Sequence, residues 1–193
     1  MTPQVTGLIL AGGLGRRMDS RDKGLVPFRG RPLVAHVIER LAPQVDRLII
    51  NANRNPESYA QFGAPVLPDR VEGFAGPLAG LHAGLCACSS RYLVMVPCDS
   101  PFLPKDLVAR LQQGLTDGGA CIAYARTAEQ PHPVFALVAT ALATDLGAYL
   151  AQGGRKIDRW FAEHPSVAVE FAEEAAFANI NTRAELQQLD PEP

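Results

Sequence analysis

The sequence has little of what marks several classes of protein. Its 193 residues carry 18 Lys and Arg against 20 Asp and Glu, so no basic excess indicates a DNA or RNA partner. No apolar run approaches the roughly 18 residues that a membrane span needs. The first residues, M-T-P-Q-V, lack the charged region and the apolar core of a secretory signal. We therefore expect a cytoplasmic protein with neither a nucleic-acid nor a membrane partner.

Cysteine is also scarce. The four cysteines are Cys86, Cys88, Cys98 and Cys121. They form no C-x-x-C pair, and Cys86 and Cys88 lie too close together in sequence for an ordinary zinc site. We interpret all four as reduced thiols with no metal or disulfide role, as is usual in the cytoplasm.

The two most familiar phosphate-binding motifs are missing. The Walker loop needs a Gly-Lys pair followed by Ser or Thr, and this sequence has none. The dinucleotide fingerprint G-x-G-x-x-G fails because its third glycine position falls on Met18. Phosphate binding, if present, must use a different loop.

The sequence does have the pattern of an α/β domain. Hydrophobic residues make up 47% of it, and short apolar runs alternate with helical patterns, which predicts βαβ units and a mostly parallel sheet. The predicted strands are 5–11, 47–52, 66–67, 92–96, 120–125, 133–138 and 167–171. The predicted helices are 33–41, 56–62, 78–88, 104–115, 140–150 and 157–161. A short strand and a helix capped by Thr182 are predicted to close the fold, which we expect to be a three-layer α/β/α, Rossmann-like domain.

The stretch around which this pattern is organised is residues 8–25, L-I-L-A-G-G-L-G-R-R-M-D-S-R-D-K-G-L. An apolar run predicts a buried strand, and three glycines and three cations follow it: Gly12, Gly13, Gly15, Arg16, Arg17 and Lys23. Glycine lets the backbone approach a ligand closely, and backbone N–H groups can then point at phosphate oxygens. A glycine-rich turn alone is a weak signal, but with three cations it predicts a nucleoside triphosphate site.

Polar residues follow three of the predicted strands. Asp99 comes directly after the strongest strand signal, and Asn51 and Asp69 stand at or just past two others. Ligands of open α/β sheets bind beyond the carboxyl ends of the strands. Asp99 therefore suits a magnesium ion, and Asn51 suits a base or a ribose. All three are equally consistent with ordinary turn and cap positions.

The whole string L-A-G-G-x-G-R-R-M-x-x-x-D-K-G-L resembles the signature loop of nucleotidyltransferases that activate small phosphorylated compounds. Within them it is most similar to the molybdenum cofactor guanylyltransferases. Asp19 stands where that family usually has glycine. Further segments, N-A-N-R, G-P-L-A-G, C-D-S-P, H-P and N-I-N-T, come in the family's order, so the resemblance spans nearly the whole chain.

The resemblance implies transfer of GMP from GTP to molybdenum-bound molybdopterin, with release of pyrophosphate and with Mg²⁺ held by Asp99. It implies nucleotide binding by Leu10, Ala11, Gly12, Gly13, Lys23, Asn51, Asp69 and Asp99. It implies catalytic roles for Lys23, Asp99 and Arg17. The pterin substrate would be bordered by Asn181 and His132. We expect one domain over residues 1–193, with a GTP-binding N-terminal half and a pterin-binding C-terminal half. We expect a monomer whose partners could include other molybdenum cofactor proteins.

Three alternatives stay open. One is an enzyme of the same superfamily that uses CTP or a sugar 1-phosphate. Cytidylyltransferases acting on the same pterin typically read L-A-A-G where this chain has L-A-G-G, and sugar-phosphate enzymes are usually longer. Another is a nucleotide-binding module without turnover, which has less need for both Lys23 and Asp99. The third is a protein-interaction partner in cofactor delivery.

Overall fold

The computed structural model describes residues 4–11, 22–71, 76–180 and 185. The strands in this part of the chain are β1 (Val5–Leu10), β2 (Pro27–Phe28), β3 (Arg31–Pro32), β4 (Arg47–Asn51), β5 (Val66–Leu67), β6 (Tyr92–Pro97), β7 (Ile122–Arg126), β8 (Pro131–Ala139) and β9 (Ser166–Glu170). The α-helices are α1 (Leu33–Leu41), α2 (Pro56–Ala60), α3 (Pro77–Ala87), α4 (Leu107–Asp117), α5 (Ala143–Ala151) and α6 (Ile157–Ala162). Short 3₁₀ helices span Lys23–Leu25, Ala42–Gln44, Thr140–Leu142 and Glu174–Phe177.

Seven strands form one sheet in the order β5-β4-β1-β6-β8-β7-β9. The first four are mutually parallel, and β9 is parallel to β7. Within the described strands of this sheet, only β8 runs against its neighbours, β6 and β7, and the separate β2–β3 hairpin is also antiparallel. The mostly parallel sheet that the sequence predicts is therefore confirmed, and the reversed β8 joins its two parts.

Alternating side chains of the sheet face two different helical layers. In β6, Val94 and Val96 pack with the core formed by α1 and α4. Leu93 and Met95 point the other way, into the core formed by α3, α5 and α6. This period of two is what a strand buried on both faces requires. The predicted three-layer α/β/α fold is confirmed.

Three details differ from the predicted elements. The β2–β3 hairpin was not predicted, because strands of two residues are too short to show a pattern. In the stretch from residue 177 where a short closing strand was predicted, the described residues form none: Phe177 ends a 3₁₀ helix and residues 178–180 have no regular structure. The predicted helix over 140–150 begins as the 3₁₀ turn Thr140–Leu142. Thr182, the predicted cap of the closing helix, lies outside the described residues.

Among the described helices, none combines the length and the apolar character that crossing a bilayer requires.

Candidate active site

The carboxyl ends of the central strands meet at one edge of the sheet. The N–H of Ala11, just past β1, donates to the carbonyl of Asn51 at 2.8 Å, and the N–H of Cys98 donates to the carbonyl of Leu10 at 3.1 Å. The last residues of β1, β4 and β6 are thus held side by side. This is the edge at which ligands of open α/β sheets bind.

Lys23 and Asp99 meet at this edge although 75 residues separate them in the chain. The Lys23 Nζ lies 3.4 Å from Asp99 Oδ2, and the two side chains are 22% and 10% exposed. Its position at the end of a strand predicts that the Asp99 side chain faces solvent. This prediction is wrong, because the side chain is nearly buried. Burial raises the pKa of the Asp99 carboxyl, and the charge of Lys23 opposes that rise.

Two hydrogen bonds and one close approach fix the segment that carries Lys23. The hydroxyl of Tyr59, a fully buried residue of α2, donates to Asp22 Oδ1, and Asn55 Nδ2 donates to Asp22 Oδ2 at 3.1 Å. A side chain at Gly24 would have its Cβ 2.5 Å from the Tyr59 hydroxyl and 3.2 Å from Cys98 Sγ. Only glycine therefore lets the chain pass close enough to bring Lys23 to Asp99.

A second polar group lies at the ends of β4 and β5. Asn51 is 3% exposed, and its Nδ2 donates to the carbonyl of Leu67 at 3.1 Å and to Asp69 Oδ1 at 2.9 Å. Asn53 Nδ2 donates to Asp69 Oδ2 at 2.8 Å, and the N–H of Asp69 donates to Asn53 Oδ1 at 2.8 Å. Both oxygens of the Asp69 carboxylate are therefore fixed by amides.

The G-P-L-A-G segment supplies the start of α3 and a close helix–strand contact. Gly76 has φ +68° directly before Pro77, the first residue of the helix. A Cβ at Gly80 would lie 2.3 Å from Asn51 Oδ1 and 2.7 Å from Leu10 Cδ2. The glycine therefore lets α3 pack directly on the ends of β1 and β4.

The segment Asn179–Ile180 packs behind Asp99. The N–H of Ile180 donates to the Asp99 carbonyl at 2.9 Å. The hydroxyl of the fully buried Ser100 donates to Asn179 Oδ1. Two of the segments that carry the family resemblance, C-D-S-P and the beginning of N-I-N-T, are therefore in direct contact.

His132 lies near the start of the reversed strand β8. Because Met95 of β6 pairs with Ala136 in antiparallel register, residues before Ala136 extend past the carboxyl end of β6. The register therefore places His132 toward the same edge as Asp99.

The His132 side chain is nevertheless engaged inside the protein. It is 8% exposed and stacks on Phe177, with the ring centroids 4.7 Å apart and the planes at 16°. Its Nε2 lies 3.2 Å from Thr127 Oγ1 and 3.4 Å from Glu174 Oε1. The Thr127 hydroxyl donates to Glu174, and this hydrogen bond is the main reason why the pKa of the Glu174 carboxyl is lowered.

Comparisons with known proteins identify the family of this chain. Residues 7–167 match the model of the MobA-like NTP transferase domain. A molybdenum cofactor guanylyltransferase from Ralstonia nicotianae is 56% identical, with 97% of each chain covered, and one from Ralstonia pickettii is 52% identical with the same coverage. The chain belongs to the molybdenum cofactor guanylyltransferase family. The resemblance of its signature loop is thereby confirmed, and the protein is a nucleotidyltransferase.

Solved structures support the fold as well. Molybdopterin-guanine dinucleotide biosynthesis protein A from Archaeoglobus fulgidus superposes with a TM-score of 0.80 at 24% identity, covering 96% of this chain and 97% of that one. At such identity the likeness establishes a common fold.

Several predicted site residues lie outside the described residues. They are Gly12, Gly13, Arg17 and Asn181, together with Arg16. Of the other predicted residues, Leu10, Ala11, Lys23, Asn51, Asp69 and Asp99 meet along the edge formed by β1, β4, β5 and β6. His132 belongs to the β8 side.

Three residues that contact the predicted site residues were not themselves predicted: Asp22, Asn53 and Tyr59. Asp22 and Asn53 stand within segments that carry the family resemblance, D-K-G-L and N-A-N-R, and could have been chosen from their position there. Tyr59 gave no signal, because an aromatic residue in a short helix is normally core.

Asp99 is the residue that would hold a metal ion at this site. Within residues 4–11, 22–71, 76–180 and 185, no three His, Cys, Asp or Glu side chains gather to form a metal cluster. A carboxylate such as Asp99 next to a phosphate-bearing substrate is nevertheless the donor set that Mg²⁺ accepts, since this ion uses one or two carboxylates plus phosphates and waters.

Proposed function

We propose that this protein transfers GMP from GTP to molybdenum-bound molybdopterin and releases pyrophosphate. The observation that carries the proposal is the Lys23–Asp99 pair, 3.4 Å apart at the ligand-binding edge of the sheet. Membership of the guanylyltransferase family supports the identity of both substrates.

In this reaction a terminal phosphate oxygen of the pterin attacks the α-phosphorus of GTP. A new P–O bond forms, and the bond from the α-phosphorus to the bridging oxygen breaks. Pyrophosphate leaves with the electron pair of that bond. The attacking phosphate is already anionic, so no side chain has to act as a nucleophile, and catalysis consists of positioning and charge stabilisation.

Lys23 is proposed to stabilise the charge on the GTP phosphates. Its ammonium is held by the fixed Asp22–Gly24 segment, so little reorganisation is needed when the charge develops. Arg17, or Arg16, is proposed to add a second cation from the glycine loop. The backbone from Leu10 to Gly13 is proposed to hold the nucleotide.

Asp99 is proposed to hold Mg²⁺. Burial raises the pKa of its carboxyl, which is a cost that a bound dication would repay. When bound, the ion would neutralise phosphate charge and assist the departure of pyrophosphate.

Asn51 and Asp69 are proposed to recognise the guanine nucleotide as a unit. Asn51 is buried and its amide nitrogen donates to Asp69, so Asn51 orients the carboxylate and Asp69 offers oxygens to the ligand. A carboxylate fixed in this way accepts hydrogen bonds and has none to donate. A base without donors in the matching positions would leave the remaining acceptor sites of the Asp69 oxygens unfilled, which is a strong source of selectivity.

Two residues are proposed for the pterin side of the site. Asn181 is proposed to contact the pterin, since Ile180 beside it in the chain is bonded to Asp99. His132 is proposed to border the pterin site by supporting the segment from Phe177 to Ile180, because its ring is buried against Phe177. We further propose a cytoplasmic monomer.

A nucleotide panel tests the proposal. Pyrophosphate release is measured from GTP, CTP, ATP and UTP at saturating Mg²⁺ and in its absence, with molybdenum-loaded molybdopterin present. We expect turnover with GTP that requires both Mg²⁺ and the pterin. Comparable turnover with CTP would overturn the guanylyl assignment, and full turnover without Mg²⁺ would overturn the role of Asp99.

A further inference from the structure

A basic groove lies beside the residues that follow Asp99 in the chain. It is bounded by the β2–β3 hairpin, by α1 and by the residues directly after Ser100, and it encloses about 400 Å³. Four cations and one carboxylate line it: Arg29, Arg31, Lys105 and Glu39 are exposed, and Arg40 is half-buried. The whole chain carries a formal charge of −2, whereas the side chains that line this groove carry a net positive charge.

Two of the arginines form the fixed walls of the groove. Arg31 Nη2 lies 2.6 Å from Glu39 Oε2. Arg40 Nη1 donates to the carbonyls of Phe102 and Leu103, at 3.4 and 3.1 Å. Arg40 neutralises no carboxylate through these bonds, so its charge still contributes to the potential of the groove.

Arg29 is placed over the aromatic floor by an unusual backbone conformation. It has φ +48°, and Gly30 after it has φ +73°. Two-residue hairpin turns of this kind favour Asn, Asp or Gly at the first position, and a left-handed conformation costs other residues about 1 kcal/mol. The guanidinium lies 5.0 Å from the ring centroid of Phe28 and 5.9 Å from that of Phe102. A positive φ at an arginine whose guanidinium lies over two rings indicates a role for its charge.

The chemistry of the groove fits carboxylates on a protein surface. Small-molecule pockets are mostly apolar and enclosed, whereas five of the eleven residues that line this groove are charged. Arginine and aromatic residues together are typical of the centres of protein interfaces. We propose that the groove docks an extended segment, rich in Asp and Glu, of a partner protein. Pro101 and Phe102 line it and follow Asp99 by two and three residues, so the partner would be held next to the reaction site. This inference is independent of which nucleotide the enzyme uses.

The test measures binding of fluorescein-labelled hexaglutamate by fluorescence anisotropy, with hexaglutamine as the uncharged control. GTP is present at saturation, so that the cations of the glycine loop are occupied. The groove variant is Arg29→Glu with Lys105→Glu. The matched control is Arg91→Glu, which reverses an exposed arginine whose guanidinium also lies over a ring, 5.3 Å from Tyr92, at the opposite edge of the sheet.

We expect hexaglutamate to bind the wild type, and the groove variant to bind it at least about tenfold more weakly. Arg91→Glu should stay within about twofold of the wild type, and hexaglutamine should not bind. Pyrophosphate release from GTP by the groove variant should match the wild type, which shows that its fold and its reaction site are intact. A wild type that does not bind hexaglutamate, or equal losses in the two variants, would overturn the proposal. Inorganic phosphate and chloride should also be compared at the same ionic strength. If phosphate displaces the peptide and chloride does not, the groove binds a small phosphate ligand and the proposal is overturned.

Discussion

The two sides of the Lys23–Asp99 pair are built differently. On the β4–β5 side, Asn51 and Asp69 meet each other at the sheet edge, and the carboxylate oxygens of Asp69 are aligned by amides. On the β8 side, His132 is buried, stacked on Phe177 and directed at Glu174.

The difference shows where a motif residue acts directly and where it acts through its neighbours. A polar side chain at a strand end, aligned by a second polar side chain, is ready to bind a ligand. The His132 ring and its Nε2 both make contacts inside the protein, so they are not placed to bind a ligand. We therefore expect direct ligand effects from the first side and effects on stability from the second.

The largest effect is expected from Asp99→Asn, which keeps the shape of the side chain and removes its charge. Loss of the metal anchor removes several kcal/mol of charge stabilisation, so kcat should fall about 1,000-fold. The melting temperature should change little, because neutralising a buried carboxyl relieves its desolvation cost. Steady-state kinetics at saturating Mg²⁺ checks this. A kcat within a few-fold of wild type would show that the metal is held elsewhere.

Gly24→Ala should have the next largest effect. The added Cβ would meet the Tyr59 hydroxyl at 2.5 Å, so the Lys23 segment must shift, and small misplacements of catalytic groups can cost about 100-fold. The control is Gly84→Ala, whose Cβ would meet Leu8 at 2.8 Å in the core below α3. That variant should lose stability but keep its turnover per folded molecule. Equal losses of turnover in both variants would contradict the positioning role of Gly24.

Tyr59→Phe is expected to act more weakly. It removes the hydroxyl that donates to Asp22 and leaves the ring in the core, so unfolding should become easier by about 1 kcal/mol. Because Lys23 is then held less firmly, kcat/KM for GTP should fall about fivefold. Chemical denaturation and GTP titration together check both numbers. A stability loss with unchanged kinetics would mean that the contact has no influence on Lys23.

The smallest kinetic effect is expected at His132. His132→Phe keeps an aromatic ring against Phe177 and loses the contacts with Thr127 and Glu174, whereas His132→Gln keeps a polar group and loses the stack. Both variants should melt at a lower temperature, with the KM for the pterin within about threefold of wild type. A tenfold rise in that KM in both variants, at unchanged stability, would instead place His132 in contact with the pterin.

The sequence predicts the strand ends well and the contacts between them poorly. Leu10 and Asp99 can be located because an apolar run stops there, and parallel strands bring such ends together. The contact of Lys23 with Asp99 spans 75 intervening residues, and no local pattern encodes it. The β2–β3 hairpin has strands of two residues and Arg29 in its turn, so it carries neither alternation nor a usual turn signal.

Residues 177–180 form no strand for a physical reason. Phe177 is apolar and lies in a run that suggests a strand, but it packs on His132, Phe135 and Phe171 from the end of a 3₁₀ helix. Tertiary packing of an aromatic ring decides the local structure there, and sequence periodicity does not report it.

The central claim is that the two halves of the chain hold different substrates. It is tested most directly by titrating GTP and the molybdenum-loaded pterin separately against Lys23→Ala and Asn181→Ala. We predict that Lys23→Ala raises chiefly the KM for GTP and lowers kcat more, whereas Asn181→Ala raises chiefly the KM for the pterin. Equal effects of both variants on both substrates would contradict the claim. Asn181 would then have no specific part in binding the pterin.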